Sequence, residues 1–370
     1  SSSLHTGIVN IIVIGTTCAM YFATIHKEAT MILADTMTSI GQRGFVGPIS
    51  MDINPGVPQY GQRTDAALKD AETFVEYLIN PEFSSQSRLM DEGNEEGLVL
   101  PVITPRYLPT CSLDLLKGLG DIATRHRCHI QSHVSESLDV MEEVERQYPG
   151  RRDLDLFHDA GLLTRNTILA HGVHLNDNEL DILRETGSGI AHCPLSNFYF
   201  ANGHLDVRRV NFAHGVNIGL GSDIAGGYSI SMLNAMRTAL LTHKAILISN
   251  MEKQKESSSS SSSSSSSLSE YEDVLTSETV FWMATQGGAE ALNLGNEIGS
   301  FEVGKCFDAL VLDIEDTQEH REETDEQHQH YIPQKQQQHQ QHKHHLHHNI
   351  DPFDIGRPAT DMEEFERFVH

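Results

Sequence analysis

Four residues of chemically useful type close four short apolar runs of this chain: His133, His171, His192 and Asp223. The runs before them are Cys128-His129-Ile130-Gln131-Ser132, Thr167-Ile168-Leu169-Ala170, Gly189-Ile190-Ala191 and Val216-Asn217-Ile218-Gly219-Leu220. Three residues after His133 stands Glu136. Two neutral imidazoles and a carboxylate suit zinc that keeps one position open for water, which becomes far more acidic there. On this reading His133 and His171 bind the metal, and Asp223 both binds it and takes a proton from the water. Glu136 protonates a ring nitrogen of the substrate and helps its leaving group depart. Taken singly, each histidine reads equally well as a hydrogen-bonded core residue. The repeated placement is what points to a site.

That placement requires parallel strands. Helical stretches separate the runs: Leu138, Met141, Val144 and Tyr148 recur at helical spacing after Glu136, followed by Leu175 to Glu185, Leu205 to Ala213 and Ser231 to Ile248. Upstream, Gln42 to Gly47 and Leu98 to Arg106 read as strands, Asp65 to Leu78 as a helix capped by Thr64, and Leu113 to Ala123 as another helix. Strand and helix alternate, which predicts an α/β fold, a (β/α)8 barrel of the TIM type. In such a barrel all strand C-termini meet at one mouth, so residues far apart in sequence become neighbours.

The composition limits the partners. Acids outnumber bases 52 to 26, a balance that repels a nucleic-acid backbone. The 5 cysteines include no Cys-x-x-Cys pair and leave one over, which argues for free thiols in a reducing compartment, the cytosol. Residues 6 to 25 carry no formal charge, but no basic cluster precedes them and Gly15-Thr16-Thr17 interrupts them. A buried parallel strand therefore reads better than a membrane span over Ile8 to Ile14 and Cys18 to Ile25, and no membrane partner is expected. Ser257 to Ser267 is an unbroken serine run, and Gln318 to His348 is dominated by Gln, His and Glu. Neither tract carries enough apolar surface to order itself, so both read as flexible insertions. His-Glu-x-x-His, P-loop and Gly-x-Ser-x-Gly patterns do not occur.

The wording of the strand ends is itself informative. Ser-His-Val-Ser-Glu, Leu-Ala-His-Gly, Ile-Ala-His-Cys-Pro-Leu-Ser-Asn and Gly-Leu-Gly-Ser-Asp-Ile-Ala-Gly-Gly resemble the amidohydrolase superfamily. Gly41-Gln42-Arg43, Thr104-Pro105-Arg106-Tyr107 and Glu297-Ile298-Gly299-Ser300-Phe301-Glu302-Val303-Gly304-Lys305 extend the match over Gly15 to Asp313, apart from the serine run. Within the superfamily the ordered set is most similar to the guanine deaminase family.

The resemblance implies hydrolysis of guanine and water to xanthine and ammonia, with one Zn2+ per subunit. It makes His133, His171 and Asp223 metal ligands, and Glu136 and Asp223 proton carriers. Arg106 hydrogen-bonds guanine, Tyr107 stacks near it, and His192 lies by the pocket. Family members are commonly homodimers in the cytosol. Two alternatives stand beside this reading: a deaminase or chlorohydrolase of a related heterocycle, and a catalytically silent binding relative.

The family's first barrel strand ends in a His-x-His pair that supplies two metal ligands. In this chain His-x-His occurs only at His328/His330, His342/His344 and His345/His347, in the Gln/His tract. The expected organisation is a non-family segment at 1–14, a barrel lacking its first strand at 15–256, and the serine insertion at 257–269. The last barrel helix and the start of a small β-sandwich follow at 270–313, then the Gln/His insertion at 314–349 and a C-terminal remnant at 350–370.

Overall fold

The computed structural model describes residues 2–80, 97–258 and 274–310. Most of the serine run, the Gln/His tract and all three His-x-His triplets lie outside them. One compact unit, Ser1–Asp308, holds the fold that follows.

Eight strands form an all-parallel sheet: β1 (Cys18–Phe22), β2 (Arg43–Gly47), β3 (Ile49–Ser50), β4 (Val99–Pro105), β5 (His129–Val134), β6 (Thr167–His171), β7 (Gly189–His192) and β8 (Asn217–Leu220). Their order is β1-β2-β4-β5-β6-β7-β8, with β3 pairing beside β4. Neighbours in sequence are thus neighbours in space, as in a curled β/α barrel sheet. Among the described residues no strand joins the free side of β1 to that of β8. A strand buried on both faces reads as a continuous apolar run, and every residue of β6 is buried.

Helices begin and end where the strands need them to. Ser112 caps α4 (Leu113–His126), its hydroxyl accepting from Leu115 N at 3.1 Å, and Ser137 does the same for α5 (Leu138–Gln147) from Val140 N at 3.3 Å. Asn176 and Glu179 satisfy each other's backbone N–H groups at 3.0 and 2.8 Å, a capping box at the start of α7 (Asp177–Thr186). Gly187, at φ 74°, then turns the chain out of that helix and into β7.

Three expectations change. Ile8 to Ile14, read as a strand, lies largely in helix α1 (Ser2–Val13). Ile8 joins Ala34 and Met37 of α2 (Lys27–Ile40) in the core, and Ile12 packs against the same cluster. Those isoleucines are four residues apart, which suits one helix face, and a short apolar run cannot by itself separate strand from buried helix. Thr64 does not cap α3 (Thr64–Ile79) but lies inside it, donating its hydroxyl to Asp52 Oδ2 at 2.8 Å. Leu138 does not face the core with Val144; it is 63% exposed. Residues 274–310 hold two helices, α10 (Ser277–Ala284) and α11 (Gln286–Ala291), and no strand among the described residues.

Candidate active site at the strand ends

Register brings the expected residues together. His133 on β5 pairs with Ala170 on β6, and Val134 with His171. The two imidazoles stand nearly parallel, their ring centres 5.4 Å apart and their planes 17° apart. Phe22, at the end of β1, packs against His133 at 4.2 Å between centroids. His192 pairs with Leu220, three residues before Asp223.

Three non-glycine residues hold left-handed backbone here: Ser135 at φ 46°, His171 at φ 73° and Asp223 at φ 47°. For residues with a Cβ this conformation is strained, and it persists only where the surroundings enforce it. At Ser135 the enforcing group is the buried Asp153 of α6 (Asp153–Asp159). Its carboxylate accepts from Ser135 N at 2.6 Å and from Ser135 Oγ at 3.0 Å. Glu136 follows directly, and its Oε1 lies 3.7 Å from His171 Nε2. Beyond Asp223 the chain folds back through Gly226, where a Cβ would meet Asp223 Oδ2 at 2.5 Å. A side chain at that position would have to push the carboxylate oxygen aside.

Both front imidazoles are anchored through Nδ1. The partner of His133 Nδ1 is the Arg106 carbonyl at 2.6 Å, and that of His171 Nδ1 is Asn197 Oδ1 at 2.9 Å. A carbonyl oxygen only accepts, so His133 carries its proton on Nδ1 and leaves Nε2 free to ligate. Burial holds both imidazoles below the ordinary histidine range; for His133, repulsion from His171 adds to the effect. Burial also pushes Glu136 up, and the nearby Asp223 carboxylate adds to it against the pull of His133 and Arg106. Two neutral imidazoles beside two mutually repelling acids form a set that a cation would relieve, so the donor chemistry fits a metal ion. Among the described residues no three His, Cys, Asp or Glu side chains are drawn together as a formed metal-binding group.

In front of this set lies a cavity of about 590 Å³ lined by Arg106, Tyr107, His133, Glu136, Ser137, Leu138, Asp139, Val140, Phe200, Ala201 and Asn202. The Arg106 guanidinium lies 5.4 Å from the Tyr107 ring centre, and its Nη1 meets Met51 Sδ at 3.6 Å. The exposed Leu138 is therefore a rim residue. His192 is not among the lining residues; it is 1% exposed, and neither ring nitrogen has a hydrogen-bond partner. Burial first, then repulsion from His171, lowers its pKa to about 3. Phe200 and Asn197 carry no sequence periodicity that would mark them. Asn197 did lie inside the Ile-Ala-His-Cys-Pro-Leu-Ser-Asn motif, where the strand turns into α8 (Pro194–Tyr199).

Parallel strands, with imidazoles and carboxylates gathered at their C-terminal ends beside one cavity, form a candidate site of the β/α-barrel type. The sequence profile of the amidohydrolase family matches residues 4–334, and the chain belongs to that family. The guanine deaminase of Pongo abelii is 40% identical over 300 residues, which are 81% of this chain and 59% of that protein. The solved E. coli guanine deaminase superposes with a TM-score of 0.67 at 26% identity, covering 82% of this chain and 61% of that one. Guanine deaminase from C. acetobutylicum, with guanine bound in its active site, gives 0.65 at 29% identity, covering 81% and 63%. The chain thus spans about three fifths of the length of the relatives it matches.

Proposed function

We propose that this chain carries the deaminating site of a zinc-dependent guanine hydrolase, soluble in the cytosol and working as a homodimer. The observation that carries the reading is the convergence of His133, His171, Glu136 and Asp223 behind a cavity that also holds Arg106 and Tyr107. His133, His171 and Asp223 would hold the zinc. When bound, that ion would acidify the attacking water.

The chain's own residues account for the rest. Arg106 donates to the purine's oxygen or ring nitrogen, and Tyr107 and Phe200 wall the cavity in which it lies. Glu136, whose pKa burial and the nearby Asp223 raise, delivers a proton to the ring, and Asp223 accepts one from water. The water oxygen bonds to C2 and the C2–N bond breaks. One of the water's hydrogens ends on the ring nitrogen beside C2 and the other on the departing amine, so ammonia leaves and xanthine remains. His192 is buried outside the cavity lining and does not touch the purine.

A panel of guanine, adenine, cytosine and a chlorinated triazine, given to the zinc-supplemented chain, tests the substrate. Guanine is expected to be consumed at least 10-fold faster than any other, because a site built to hydrogen-bond one ring edge rejects analogues lacking it. Preferred turnover of another heterocycle would overturn the assignment.

A further inference from the structure

An imidazole that offers one nitrogen to a site needs its other nitrogen decided by a neighbour. For His133 that neighbour is main chain, the Arg106 carbonyl, and no side-chain substitution removes it. For His171 it is a side chain, the amide of Asn197, at 2.9 Å. Asn197 is fully buried and fixed at both backbone groups: its N–H donates to the Cys193 carbonyl at 2.9 Å, and its own carbonyl accepts from Gly203 N at 2.9 Å. Its Nδ2 is buried without a hydrogen-bond partner. Packing alone does not explain such a residue. A leucine of similar volume would fill the same space and leave no unpartnered donor.

We propose that Asn197 is a positioning residue that fixes His171 as the Nδ1–H tautomer, so that the His171 Nε2 lone pair faces Glu136. This rests on the proposed hydrolase function, and it extends that reading to a residue outside the ligand and proton-carrying set. The amide oxygen accepts from His171 Nδ1–H; turned over, the amide would instead donate to a bare Nδ1 and leave the proton on Nε2. In that state His171 could neither ligate through Nε2 nor accept a proton there. The His171 ring is buried and stacked on His133, so its protonation pattern is the remaining variable.

Long-range 1H–15N spectra of the histidine side chains test this on the metal-free chain without substrate, with His171 assigned by its loss in His171→Gln. The wild type is expected to show His171 protonated on Nδ1, and Asn197→Asp, which keeps an acceptor oxygen, to show the same. Asn197→Leu is expected to move most of the population to Nε2–H and, in the zinc-loaded chain, to lower guanine turnover roughly 10- to 100-fold. A wild-type His171 protonated on Nε2 overturns the proposal, as does a folded Asn197→Leu that keeps Nδ1–H. Should the leucine variant not fold, an Nε2–H tautomer in Asn197→Asp overturns it equally. Because the tautomer is read without turnover, a chain that never deaminates guanine can still confirm or refute this role.

Discussion

The ends of β5 and β6 and the end of β7 carry the same residue type in the same place, yet they make different chemistry. His133 and His171 are each anchored through Nδ1 and stacked on one another, with an acid 3.7 Å from His171 Nε2. His192, one strand further on, is sealed in with both nitrogens unpartnered and its pKa lowered to about 3. A histidine at a strand end is therefore not yet a functional histidine. What separates the two cases is the second contact, which decides whether one nitrogen is held and the other offered.

The sharpest way to break this comparison is to remove the acid that serves the anchored pair. Glu136→Gln keeps the volume and both imidazole anchors but cannot carry a proton. Turnover of guanine by the zinc-loaded chain is expected to fall by about 10²–10⁴-fold with metal content unchanged. Turnover within a few-fold of wild type would remove Glu136 from the mechanism.

The histidines come next. Alanine at His133 or His171 is expected to lower zinc retention by about 100-fold or more in competition with a chelator, since each removes a proposed ligand. Alanine at His192 is expected to change it less than about 3-fold, because that ring offers the cavity no nitrogen. Equal losses in all three variants would erase the distinction between the strand ends.

A pH series sharpens it further. In the unfolded chain His192 titrates near the ordinary histidine value of 6.5, and burial lowers it to about 3 in the folded chain. Between these values the unfolded state binds the extra proton. The neutral ring's contribution is thus whole above about pH 6.5 and is lost as pH falls toward 3. Chemical denaturation at pH 7.5 and pH 5 should show a smaller acid-induced loss of stability in His192→Asn than in the wild type. Equal losses would mean that the ring is protonated when folded.

The smallest effect concerns Cys193, beside His192. Burial raises Cys18, Cys111 and Cys128 to about 12 and Cys193 well above its ordinary value, whereas Cys306 is exposed. A thiol reagent should therefore titrate one cysteine rapidly in the native chain and five after denaturation. Rapid modification of Cys193 would show that the β7 end opens readily.

The same contrast explains how much was legible in the sequence. Alternating apolar runs and amphipathic stretches carry the parallel sheet, because burial on both strand faces imposes that pattern locally. The shared strand-end placement of His133, Glu136, His171 and Asp223 is legible because parallel topology alone brings strand ends together. The standing of His192 was not: whether an imidazole finds a partner depends on side chains from α8 and on the depth of the seal, and neither leaves a periodic trace. Asn197 and Phe200 escaped for the same reason, and so did Asp153, whose grip on Ser135 spans 18 residues. The helix at Ser2–Val13 was misread because its short apolar run fits either strand or helix. Only packing against Ala34 and Met37 decides between them.

The most direct test is guanine turnover by this 370-residue chain, with zinc added and metal content measured in the same samples. Expected are xanthine and ammonia in equal amounts, with zinc near one per chain and both lost in His171→Ala. A chain that holds one zinc and leaves guanine untouched would contradict the assigned reaction. A chain that takes up no zinc would contradict the assigned ligands.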